Sequence, residues 1–288
     1  MSEGIVPSAV SAGTFSVVEW PYGDVSGNGI PTAYDAAWIL EYVVTNALGS
    51  PVLFPIETTA PVWWDAPLAH DDAVIVADVD GSGAATEDIA AADASLLLQY
   101  DVGLITAFPV ENSGAAPALT PLASAYRLRG ASQSSRPGAR IGVSLDARSV
   151  LRLMAGELVL AFDASLLTAV DVSLRHGGAK GAAQQPLLVQ RARDGQLAVA
   201  FACARPIEAS AAVLDITFEA FRDIPHARES TIRASHLRLN RSLIETDFAF
   251  PFRIEPFANR LMANYPNPFN PETWIPFELA ADSDVTVL

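Results

Sequence analysis

Asp24, Ser26 and Asn28 place oxygen-bearing side chains at alternate positions of a short stretch that ends at Asp35, with Gly29 at its sixth place. A tightly coiled loop turns every second side chain inward, and a calcium ion takes six to eight hard oxygen donors at roughly 2.3–2.6 Å. Asp24, Ser26 and Asn28 would then give side-chain oxygens and Ile30 its carbonyl. Thr32 would act directly or through water, and Asp35 would close the shell from the first turn of the helix that follows. Gly29 permits the sharp bend such a loop needs. Two full carboxylates suit the modest affinity of extracellular calcium modules.

The same arrangement begins again at Asp78, Asp80 and Ser82, with the carbonyl of Ala84 standing where Ile30 stands. Counted forward from Asp78, the twelfth position is Ile89, which cannot ligate. Counted back from the helix, Tyr100 follows Asp93 by the seven residues that separate Tyr42 from Asp35. The second loop therefore carries four extra residues. The helix register favours Asp93 as the closing carboxylate, with Asp88 as the alternative. A unit used twice is much less apt to be chance than one isolated EF-hand-like match. Two calcium ions are expected. The plainer reading is that these are ordinary Gly/Asn turns, with Asp35 and Asp93 as helix N-caps.

Two such loops, each followed by one helix and lacking a helix before the loop, resemble dockerin modules. That resemblance implies a calcium-folded unit at residues 18–112 that docks onto cohesin modules in extracellular polysaccharide-degrading assemblies. The positions that choose a partner in familiar dockerins hold Ala33-Tyr34 and Glu41 here, then Ala91-Ala92 and Gln99, so partner identity does not carry over. Each helix is followed by a Phe-Pro pair, Phe54-Pro55 and Phe108-Pro109. Trp63-Trp64, in the proline-rich insert between the repeats, are expected to pack over the two short helices, with sugar stacking as the alternative.

Charge divides the chain at the same place as texture. Residues 1–126 hold sixteen Asp or Glu and no Lys or Arg; the rest hold seventeen acidic and eighteen basic residues. So acidic a segment suits calcium and makes a poor nucleic-acid ligand. No apolar run approaches the ~20 residues of a membrane span, and no basic-plus-apolar leader opens the chain. Cys203, the single cysteine, cannot form an intrachain disulfide and sits in an apolar strand pattern, as a buried residue would. Residues 113–124, rich in Ala, Pro and Ser, read as a linker.

From residue 125 short apolar runs are bounded by Gly, Pro, Asp and Ser, among them Arg140–Leu145, Glu157–Phe162, Leu197–Ala202 and Ala212–Phe218. This is the texture of an all-β sandwich. Together with Arg136-Pro137-Gly138 and Leu160-Ala161-Phe162-Asp163, these runs resemble a cohesin. The likeness implies a jelly-roll domain over 125–256 that presents one sheet face to a docking module. Asn264-Tyr265-Pro266-Asn267-Pro268-Phe269-Asn270-Pro271 resembles the opening of Ig-like C-terminal sorting domains of secreted bacterial proteins, and 257–288 reads as a truncated copy.

No catalytic constellation stands out. His70, His176, His226 and His236 lack metal-ligand spacing, no nucleophile turn or phosphate loop is present, and Glu157 and Asp163 read as surface charge. The expectation is a multidomain, non-catalytic chain: a small α dockerin-like unit, a jelly-roll sandwich, and the start of an Ig-like domain. It would dock cohesin or dockerin modules on other proteins, or copies of itself. The setting would be extracellular or at the cell surface, with polysaccharide met through the assembly. A calcium-rigidified adhesion or stalk protein and a direct carbohydrate-binding module are the alternatives.

Overall fold

The computed structural model describes residues 20–61, 66–82, 89–112, 126–131, 134–147, 152–175, 186–207, 212–268, 271–280 and 284–286. The helical part comprises α1 (Ala33–Ala47), α2 (Pro55–Thr58), α3 (His70–Ala77) and α4 (Ala91–Asp101), followed by a 3-10 turn, Pro109–Asn112. Trp63, Trp64, Ala84, Asp88, His176 and the 113–124 linker lie outside the described residues.

Helices α1 and α4 are built alike. Thr32 caps α1 by accepting Tyr34 N–H, while the Asp35 carboxylate accepts Thr32 N–H at 2.9 Å. In α4 the cap residue is Ala90, and the Asp93 carboxylate accepts its N–H at 2.9 Å. The two aspartates are thus the third residues of their helices, reaching back, and not N-caps. Both helices stop where a glycine takes φ of +70°, Gly49 and Gly103. There Ser50 N–H returns to Thr45 O and Leu104 N–H to Gln99 O, which closes the last turn.

The repeat continues past the helices. Phe54 N–H bonds Glu57 and Phe108 N–H bonds Glu111. Phe54 stacks on Tyr42 with ring centroids 5.0 Å apart, as Phe108 packs on Tyr100 at 4.8 Å. Ile56 N–H donates to Val25 O and Val110 N–H to Val79 O, so each Phe-Pro segment braces its own loop from behind. One difference breaks the symmetry: α3 runs directly into Asp78, so the second loop has a helix before it, contrary to the one-helix expectation.

Eleven strands form the sandwich: β1 (Tyr126–Ala131), β2 (Ser134–Ser135), β3 (Arg140–Ala147), β4 (Leu153–Ala161), β5 (Leu167–Leu174), β6 (Leu187–Arg193), β7 (Gln196–Ile207), β8 (Ala212–Ala220), β9 (Arg228–Leu239), β10 (Ser242–Leu243) and β11 (Ala249–Ile254). One sheet has the order β1-β3-β8-β5 and the other β2-β11-β9-β4-β7-β6, with β10 beside β9. All pairs are antiparallel except β2 with β11. Ile141, Leu160, Phe201, Phe218, Ile232 and Ile254 are among the side chains buried between the sheets.

The outer faces of the two sheets differ. On β8, the outward Asp215, Thr217 and Glu219 are partly solvated. Strand β7 is apolar on both sides: Leu197, Val199, Phe201 and Cys203 point into the sandwich, while Ala198, Ala200, Ala202 and Ala204 point out. Those alanines, with Ala155 and Val159 of β4, join one buried cluster with Ile39, Leu40 and Val43 of α1 and Ala94, Leu97 and Leu98 of α4. Alanine side chains let helix backbones approach a sheet closely, and their burial removes apolar surface from water on both partners. One outer sheet face of the sandwich is thus covered by this chain's own helices. Burial pushes the Cys203 thiol up to about 12.

Beyond the sandwich, β12 (Arg260–Leu261) and β13 (Phe277–Glu278) form a two-stranded ribbon extended by a bridge between Tyr265 and Trp274. Arg136 ties it to the sandwich, over the Phe257 ring and 3.8 Å from Glu278. Among the described residues no helix is long and apolar enough to cross a membrane.

Candidate metal centres and the face that carries them

The first loop is coiled around Asp24. One Asp24 oxygen accepts Gly29 N–H at 2.7 Å; the other accepts Asn28 N–H at 3.1 Å and the Ser26 hydroxyl at 3.2 Å. Asp35 reaches across to accept Ser26 N–H at 2.9 Å and takes both the N–H and the hydroxyl of Thr32. Gly29, at φ +97°, makes the bend that a side chain would strain. Asn28 folds its amide oxygen onto Ile30 N–H, and the Ile30 side chain points to solvent. Asp24 and Asp35 are both fully buried. Burial, with some help from Asp35, pushes the Asp24 carboxyl up, and the Gly29 and Asn28 N–H groups and the Ser26 hydroxyl only partly counter it.

The second loop repeats these bonds with shifted numbering. Ser82 N–H reaches Asp78 as Asn28 N–H reaches Asp24. Asp80 N–H reaches Asp93 at 3.1 Å as Ser26 N–H reaches Asp35. Ala90 N–H takes the place of Thr32 N–H. Asp93 therefore occupies the position of Asp35, with Asp80 where the first loop has Ser26. One carboxylate oxygen from each of Asp78, Asp80 and Asp93 lies within 4.8 Å of the others. Burial first, then the charges of Asp80 and Asp78, pushes the Asp93 carboxyl well up, against the pull of the Ala90 and Asp80 N–H groups. Clustered, buried, all-oxygen donors of this kind fit a hard divalent cation and no soft one.

Loop two is also fastened to the sandwich. Glu157 of β4, expected at the surface, is only 8% exposed and accepts Ala91 N–H at the start of α4 at 2.7 Å. Its other oxygen lies 3.2 Å from His236 Nε2 and 3.8 Å from Arg238 Nε. A carboxylate at a helix N-terminus satisfies an orphan donor and complements the helix dipole. Ser95 donates to Cys203 O at 2.8 Å within the buried contact. At the rim Arg241 Nε lies 2.6 Å from Asp80, and Arg191 2.8 Å from Glu41 of α1. Arg193 bonds Ser50 just past α1. Arg191, Arg193 and Arg241 belong to the sandwich, and their partners Glu41, Ser50 and Asp80 to the acidic half.

Ser95, Arg191 and Arg241 were not singled out from sequence, and Glu157 was read there as surface charge. The available signal was β7 itself, whose unbroken Leu197–Ala204 apolar run marks a strand covered on both faces.

No family model matches the chain, and no curated protein matches it. Solved structures similar to part of it include cohesins. One is a non-cellulosomal cohesin from the hyperthermophilic archaeon Archaeoglobus fulgidus, at TM-score 0.35 and 15% identity over 45% of this chain and 91% of that one. Another is the sixth cohesin of Acetivibrio cellulolyticus scaffoldin B, solved in complex with a Cel5 dockerin mutant (TM-score 0.36, 11% identity, 46% and 98% covered). A third is a cohesin module from a Clostridium perfringens family 33 glycoside hydrolase (TM-score 0.36, 6% identity, 46% and 97% covered).

Proposed function

We propose that this chain is a non-catalytic, calcium-dependent docking protein that carries both members of a docking pair, a dockerin-like helical unit and a cohesin-like sandwich. The observation that carries this reading is the interface itself. An alanine-faced sheet meets α1 and α4, Glu157 caps α4, and arginines of the sandwich meet carboxylates of the helical unit. Calcium at the two loops would fix α1 and α4 in the pose that the sheet accepts. Residues 113–125 join the halves, and a connection that short holds them at an effective concentration on the order of mM. In cis the pair is therefore closed. In trans the same surfaces would link copies, or other modules, into an extracellular assembly on polysaccharide. A protease site placed within 113–124 of the whole chain tests the reading. After cleavage the halves co-elute in calcium and separate in chelator; halves that separate in calcium as well would refute it.

A second reading is favoured by the closure in cis: a rigid, calcium-stiffened unit of a surface stalk. Mixing donor- and acceptor-labelled copies separates the two. Exchange of helical units between chains supports docking, and its absence supports the stalk.

A further inference from the structure

The first and second loops differ at their third position, Ser26 against Asp80, so at the ligand positions the two loops share the second carries one more carboxylate. That additional charge meets a cation from the other half of the molecule. Arg241 Nε sits 2.6 Å from Asp80 Oδ2, and the carboxylate is almost completely buried. Among the described residues no ion pair reaches Asp24 or Asp35 of the first loop.

The position of Arg241 is fixed by its neighbour. Asn240 adopts φ of +53° in the turn between β9 and β10, its side-chain oxygen accepts Met154 N–H and Ala155 N–H at 2.8 and 3.2 Å, and its own N–H donates to Ala155 O at 2.8 Å. Three bonds to the start of β4 thus hold the turn against the sheet and aim Arg241 at the loop.

We propose that Arg241 sets the calcium affinity of the second loop and couples that loop to docking. This rests on the calcium reading above. With the guanidinium counted, Asp78, Asp80 and Asp93 offer an incoming cation two net negative charges, as Asp24 and Asp35 do. Before calcium arrives, Arg241 offsets part of the repulsion among the three carboxylates and keeps the loop on the sandwich. When calcium binds, the same guanidinium repels it. In the tethered chain the sandwich therefore holds the second loop at low calcium, at the expense of weaker binding there.

Calorimetric calcium titration of the whole chain, alongside Arg241→Gln and Arg241→Lys, tests this. Repulsion between a unit and a double charge a few ångströms apart, at the edge of a protein, corresponds to roughly tenfold or more in binding. Arg241→Gln should tighten one of two sites by about that factor, leave the other unchanged, and make the chelated protein unfold at lower urea. Arg241→Lys should restore most of both properties. If two sites bind in the parent but Arg241→Gln leaves both unaltered or weakens one, the inference is wrong while the calcium reading stands. If the parent takes up no calcium, both fail.

Discussion

Glu157 shows how much one carboxylate can do when an opposing element supplies the donor. It stands on β4, accepts the first N–H of α4, and keeps His236 and Arg238 beside it. Glu157→Ala would leave a buried N–H without an acceptor, which costs about 1–3 kcal/mol. The expected result is an unfolding free energy, read from urea titration, lowered by that amount, with Glu157→Gln intermediate because its amide oxygen can still accept. An unchanged midpoint for the alanine variant would mean that water replaces the carboxylate. The closing aspartates make a second test at this scale. Asp35→Asn and Asp93→Asn should each abolish one calcium site, and Asp88→Ala neither. Loss of a site in Asp88→Ala would restore the alternative register.

Among the elements, β7 decides how the halves meet, because its two faces belong to two cores. Ala200→Leu would force a larger side chain between the strand and the helices, at a cost of about 1–3 kcal/mol for overpacking. Limited proteolysis should then cut the 113–124 connection faster while the fragment containing the sandwich survives. Equal cutting rates would show that the helices can lift to make room.

These elements were unevenly legible. The loops, α1, α4 and the Phe-Pro braces follow local rules of spacing, capping and repetition, so the sequence reveals them. Helix α3 does not, because His70–Ala77 is rich in Val and Ile and its Ala69 cap lacks a capping side chain. Its Ala73, Val74, Val76 and Ala77 are buried, so tertiary contact overrides weak propensity. Glu157 and Arg241 were illegible for a related reason. Their partners lie 66 residues away in the case of Ala91 N–H, and far from Arg241 at Asp80, so no local pattern announces them. The outward alanines of β7 carried a signal, but alternating Ala with large apolar residues reads first as one strand facing one core.

At the scale of the whole molecule, the acidic half and the balanced half meet through charge at the rim and small apolar side chains at the centre. Calcium at the two proposed sites would add to the stability of that closed state, about 2.7 kcal/mol per site at a hundredfold excess over its dissociation constant.

The covalent tie between the halves is separate from the surface that holds them together, and this bears on how the molecule carries load. Tension applied between residue 20, on the helical unit, and residue 254, at the end of β11, loads the docked faces as well as β11 itself. If those faces slip, residues 113–125 limit the separation of the halves to about 45 Å, at about 3.5 Å per residue. The docked faces would then yield first under load, with the connection setting how far they part. Single-molecule stretching should show a short, reversible first extension that moves to lower force when calcium is removed, ahead of the longer event of the sandwich.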